Sequence, residues 1–327
     1  MQRLYFLLFF TLVLISCKEK KSIGTIERID PALDKIIDPD ATVEIIAEGF
    51  EWSEGALWVP SENMLLFSDV PKNVIHRWKP NEGTSVYLTP SGYTGSGFYS
   101  KEPGSNGLTL SPDGKLVMCQ HGDRRVAMMA ASLTTPESKF ITLVDQFNGK
   151  KLSSPNDAVF SKSGDLFFTD PPYGLPQQAD DSTKETPFNG VYRASGGQVS
   201  LVVDSLTRPN GIALMPDEKT LIVANSDADR ARWYAFDLSD SVVRGRIFYD
   251  ATSLTKSEKG LPDGLRIDRQ GNVFATGPGG VWIFDSEGKV LGKIKISEAT
   301  SNCALADDDK TLYITADMYV LRVALRK

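Results

Sequence analysis

Six times along the chain, a residue with a side-chain oxygen leads a hydrophobic strand, a tight turn and a second strand that ends in a small residue. The lead residues are Glu54, Asn106, Asn156, Asn210, Asp263 and Asn302, at intervals of 52, 50, 54, 53 and 39 residues, and in four of the six a glycine follows at once. Recurrence with a period of about 50 residues signals stacked or radially arranged units rather than one irregular fold. Within each copy the apolar residues alternate and then run together, as at Leu166, Phe167 and Phe168, which is strand behaviour. Turns such as Pro112-Asp113-Gly114 make each copy a hairpin. Further strands begin near Val74, Gly190, Arg232, Gly280 and Tyr319. Units of about four short strands, with no helical period, are the blades of a propeller. The fold expected is therefore all-β, a six-bladed β-propeller in one domain over residues 41–327. The short strand Val43-Glu44-Ile45-Ile46-Ala47 is placed to pair with the last blade and close the ring.

Composition narrows the function classes. The net charge of -6 is modest, and the 36 Lys and Arg residues are scattered rather than gathered into a stripe, so a nucleic-acid partner is excluded. Residues 1–17 carry Arg3, an apolar stretch and Leu14-Ile15-Ser16-Cys17, too short for a membrane span and followed at once by lysines. They resemble a bacterial lipoprotein signal peptide, with Cys17 as the lipidated residue. Residues 18–40 then read as a tether. The expected location is exported and lipid-anchored to a bacterial membrane, on its periplasmic or cell-surface face, with the membrane met only through the anchor. Cys119 and Cys303 sit at ends of equivalent strands and read as buried thiols. A monomer is expected. Two stretches exceed the repeat, residues 92–104 and 171–189, and read as a partial lid over one face of the ring.

Rotation about a propeller axis brings equivalent positions together, so the six lead residues would ring one mouth of the channel. Singly, each Asn-Gly or Asp-Gly reads as a turn. Six in register put two carboxylates and four amides in one cavity, where they repel or stay unsatisfied unless a cation or water organises them. All-oxygen ligation suits Ca²⁺ best, with Mg²⁺ and Mn²⁺ as alternatives. Zn²⁺ is the weaker choice, because the chain has two histidines and no CxxC or HExxH spacing. Of those histidines, His121 is near the candidate mouth and suits a catalytic acid or base, whereas His76 reads as a surface residue.

The stretches EGALW from Glu54, SNGLTLSPDGKLVMCQHGDRRV from Ser105, SPNDAVF with FTDPPYG, RPNGIAL and LPDGLRID carry a resemblance. From about Glu48 onward the chain resembles the senescence marker protein (regucalcin) and gluconolactonase group, six-bladed propellers that bind calcium and hydrolyse lactones. The resemblance implies a metal held by Glu54, Asn156 and Asp263, to which the related diisopropyl fluorophosphatases add the position of Asn210. Animal members bind substrate with an Arg two places before the second-blade Asn; here that place holds Gly104. The stretch around His121 looks closer to bacterial gluconolactonase-like members. The expected activity is metal-dependent hydrolysis of a sugar lactone, such as gluconolactone, to its aldonic acid by attack of water on a polarised carbonyl. Asp263 is the candidate base, with ligand only and nucleophile as its alternatives, and Asn106 would orient the substrate. Two alternatives stay open: another ester or a phosphotriester as substrate, or a non-enzymatic binding module with structural calcium.

Overall fold

The computed structural model describes residues 21–240 and 242–326. Six antiparallel sheets are arranged around one axis, each running outward in chain order from an inner strand. Blade one is built from Ser53–Val59, Met64–Asp69, Val74–Lys79 and Gly83–Leu88. The inner strands of the next five are Ser105–Leu110, Ala158–Phe160, Pro209–Leu214, Leu265–Ile267 and Thr300–Ala306. Each inner strand touches the inner strands of both neighbours, and the sixth returns to the first, so the ring is closed.

Closure uses the strand expected for it: Glu44–Glu48 pairs antiparallel with Tyr319–Ala324 as the outermost strand of blade six. The expected tether needs correction. Thr25–Arg28 adds a fifth strand to blade five, and Leu33, Ile36 and Ile37 are buried against Phe274, Ile283 and Leu321 between blades five and six. Apolar residues buried this way contribute about 1.5–3 kcal/mol each. The charged residues around these three hid their pattern in the sequence. Cys17, the signal segment and residues 18–20 lie outside the described residues.

The core is divided into clusters between adjacent blades; Ile222 and Trp233 of blade four, for instance, pack on Leu265 and Phe284 of blade five. Cys119 and Cys303 are free and fully buried, as expected. His76 is not a surface residue: it is half-buried between the rings of Phe50 and Phe67, at centroid distances of 5.1 and 5.5 Å.

Two features of the repeat acquire a physical reason. The glycine after the lead residue is where one blade meets the next. A Cβ on Gly55, whose φ is +55°, would lie 2.0 Å from the Asn106 carbonyl oxygen, and one on Gly211 would lie 2.2 Å from that of Asp263. Only glycine permits that approach. The small residue closing the second strand is often a hydroxyl that reaches across the same seam. Ser68 Oγ donates to the Asn106 carbonyl at 2.9 Å, Thr169 Oγ1 to that of Asn210 at 2.7 Å, and Thr276 Oγ1 to that of Ser301 at 3.0 Å. The ladder also shifts register at the lead residue in blades one, two, four and six. These lead dipeptides are therefore bulges in the inner strands rather than turns, and a bulge re-aims the side chain it carries.

Candidate active site

Five of the six lead side chains, Glu54, Asn106, Asn156, Asn210 and Asp263, line one cavity of about 740 Å³, and those of Glu54, Asn106 and Asn210 stand at the register shifts of blades one, two and four. Glu54, Asn106, Asn156 and Asn210 are each at least 96% buried. Asn302 does not line the cavity. Its Nδ2 points at Glu54 Oε2 at 3.4 Å and its Oδ1 accepts from the Cys303 N–H at 2.8 Å, so it braces Glu54 from behind.

The electrostatics are those of crowded, buried carboxylates. Burial pushes Glu54 up to about 8, the negative charge of Asp157 adds to the shift, and the Gly55 N–H, donating to Oε2 at 2.9 Å, opposes it. Burial likewise raises Asp263 well above the usual carboxylate range, reinforced by the charges of Glu54, Asp157 and Glu102. Asp157 itself faces Arg266, whose Nη1 donates to its Oδ2 at 3.3 Å, and this pair lies on inner-strand residues next to the ring.

Asp263 Oδ1 and Asn106 Oδ1 are buried and have no hydrogen-bond partner. An orphaned acceptor costs about 1–3 kcal/mol, so these two oxygens on cavity-lining residues are open to a donor or cation that the protein itself does not supply. Asn210 directs Nδ2 to Ser226 Oγ at 3.2 Å, which fixes the amide. Among the described residues no three of His, Cys, Asp and Glu lie close enough to hold a metal by themselves. Amide oxygens would have to complete the donor set, and Asn156 and Asn210 beside Glu54 and Asp263 supply hard oxygen donors of that kind. The residues present fit a cation such as calcium.

His121 is not brought to the cavity. It is fully buried, its backbone N–H donates to the Gly104 carbonyl at 3.1 Å, and neither ring nitrogen has a hydrogen-bond partner. Burial lowers it to about 4, so it is neutral at neutral pH. What the second blade presents to the cavity instead is Glu102, whose Oε2 lies 3.9 Å from His121 Nδ1 and whose carboxyl burial raises to about 7. Sequence reasoning did not single out Glu102, nor Trp52, Tyr173 and Arg208, which also line the cavity. The available signal was loop length. Glu102 comes from residues 92–104 and Tyr173 from residues 171–189, so both loops expected as a lid contribute to the wall. Arg208 lies over the Tyr173 ring, 5.5 Å from its centroid.

Fold and site together define a six-bladed propeller with an acidic and amide oxygen ring at one mouth. The family model described as the SMP-30/gluconolactonase/LRE-like region matches residues 52–317. The chain belongs to that family. It is 41% identical over 312 residues to a gluconolactonase from Zymomonas mobilis, covering 92% of this chain and 86% of that protein. A gluconolactonase structure from Xanthomonas campestris has a TM-score of 0.80 at 28% identity, covering 94% of this chain and 99% of that one. The calcium-binding protein regucalcin from Agrobacterium tumefaciens shares the fold, with a TM-score of 0.66 at 16% identity over 86% of this chain and 94% of that one.

Proposed function

We propose that the protein hydrolyses a sugar lactone of the gluconolactone type to its aldonic acid. The observation that carries this reading is the convergence of Glu54, Asn156, Asn210 and Asp263 on one cavity in a chain 41% identical to a gluconolactonase. These four residues would hold a divalent cation, calcium first, with Mg²⁺, Mn²⁺ and Zn²⁺ behind it in that order of fit to oxygen donors. A cation bound there supplies Lewis acidity toward the lactone carbonyl.

The chain's own groups do the rest. Asn106, with Oδ1 free to accept from a substrate hydroxyl, orients the ring. Asp263 takes the proton of the attacking water at Oδ1, the atom that no protein donor occupies. Asn302 and the Gly55 N–H hold Glu54 in place, and Tyr173 and Trp52 wall the site against bulk water. Ring opening then breaks the bond from the acyl carbon to the ring oxygen. Water gains that carbon, the departing oxygen gains a proton, and the aldonic acid is left. His121, outside the cavity, packs behind Glu102 without a hydrogen bond to it and does not meet substrate.

A pH-stat assay on glucono-1,5-lactone tests the reading. Saturable acid release above the spontaneous rate, removed by a chelator and restored by Ca²⁺, is expected. Failure to open lactones of any ring size with Ca²⁺, Mg²⁺ or Mn²⁺ present contradicts it.

A further inference from the structure

Beside the lactone cavity lies a second one of about 710 Å³, and the two share Trp52 and Glu102 as a common wall. Its far side is aromatic. Tyr93 and Tyr99 stack with centroids 4.9 Å apart, and Phe98 is 85% exposed, an unusual cost for a large apolar ring. Charged side chains share the lining: Glu51 and Lys72 form an ion pair, and Lys101 is exposed with no ion pair among the described residues.

The loop that carries the rings is built rather than loose. Its two ends cross at Gly92 and Gly104, where a Cβ on Gly92 would lie 2.0 Å from the Gly104 carbonyl carbon. Asn73 Oδ1 accepts from the Ser91, Gly92 and Tyr93 N–H groups at 3.1, 2.7 and 3.1 Å, and Asn73 Nδ2 donates to the Tyr93 carbonyl at 2.8 Å. Asp123 accepts from the Thr94 N–H at 3.0 Å and from its hydroxyl at 2.7 Å. A pinched, internally bonded loop of this kind is an Ω-loop, and the bonds at residues 91–94, with the Tyr93–Tyr99 stack, fix its base before anything binds.

We propose that this second cavity is a subsite for a glycosyl unit, so that the substrate is an aldonolactone carrying a further sugar. The inference rests on the lactone-hydrolase reading of the first cavity and names the substrate class for it. A purely apolar occupant would desolvate Lys101 without compensation and strip water from the exposed Glu51–Lys72 pair. A sugar ring instead offers a C–H face to Phe98 and Tyr99 and hydroxyls to the charged groups of the lining. Sharing Trp52 and Glu102 makes the two cavities neighbours, so that a sugar attached to the lactone ring would enter the second one.

The test compares kcat/KM for cellobiono-1,5-lactone and glucono-1,5-lactone, and adds calorimetric binding of cellobionate, which needs no turnover. The wild type is expected to favour the disaccharide lactone by about tenfold, which corresponds to about 1.4 kcal/mol. Phe98→Ala, at an exposed position outside the first cavity, should lower that preference about 3- to 10-fold through KM and leave gluconolactone turnover unchanged; Tyr99→Ala should do the same. Equal kcat/KM for the two lactones, or a preference untouched by both substitutions, overturns the subsite. If both lactones are inert yet cellobionate binds and Phe98→Ala weakens it, the subsite stands and the hydrolase reading falls.

Discussion

At the scale of single residues, the two unpartnered oxygens distinguish the ring from a set of turns. Asn106 Oδ1 and Asp263 Oδ1 are buried acceptors without donors, and burial, with the charges of Glu54, Asp157 and Glu102 around it, raises Asp263 above the usual carboxylate range, which makes its ionised form a stronger base. Asp263→Asn keeps the shape and removes the proton acceptor, so kcat should fall by about 10²–10⁴, the usual worth of a positioned acid or base. His121→Ala should instead lower the melting temperature more than kcat, because the imidazole fills space without reaching the cavity; comparing the two variants by pH-stat and by thermal melts separates the roles. The six lead residues could be singled out in the sequence because they recur in register, and the resemblance to the family picked Glu54, Asn156, Asn210 and Asp263 from among them. Glu102 could not, since it belongs to a loop that exists in one blade only. His121 misled for the opposite reason: it ends a strand whose neighbours reach the channel, but its own side chain is sealed under Gly174, where an added Cβ would meet His121 Cβ at 2.5 Å.

At the scale of elements, the bulged inner strand with its glycine joins architecture to chemistry. Gly211 lies against the Asp263 carbonyl, so Gly211→Ala would push apart two backbones that nothing flexible separates. The expected cost is about 1–3 kcal/mol of stability in urea unfolding, with a drop in activity because the displaced residue is Asp263 itself. Unchanged stability and activity would show that the seam does not position the site. Strand alternation and turn chemistry made the blades readable in advance. The inward turn of the lead side chains was not readable in that way, because an Asn-Gly pair has the same local preferences in a hairpin and in a bulge; tertiary pairing decides between them.

At the scale of the whole molecule, ring closure by Glu44–Glu48 and the added strand Thr25–Arg28 tie the N-terminal segment to blades five and six. If Cys17 is lipidated, as we propose from its surroundings in the sequence, only a few residues separate the anchor from the body, and the propeller would sit close to the membrane. The central claim, that the oxygen ring is a cation site serving lactone hydrolysis, bears on the whole fold because five blades supply its lead residues and the sixth braces Glu54 through Asn302. Its sign with pH follows from Glu54. A carboxyl raised from the usual value to about 8 is protonated in the folded, metal-free chain at lower pH, and folding stability is lost as pH rises through that value. A cation competes with those protons, so its affinity should rise over the same interval. Calorimetric titration of chelator-stripped protein with Ca²⁺ at pH 6 and pH 8 is the most direct measurement. One site is expected, tighter at pH 8, with proton release at pH 6, weakened about 100-fold or more by Glu54→Gln and lost in Asp263→Asn. Absence of binding at either pH, or binding indifferent to both substitutions, contradicts the account.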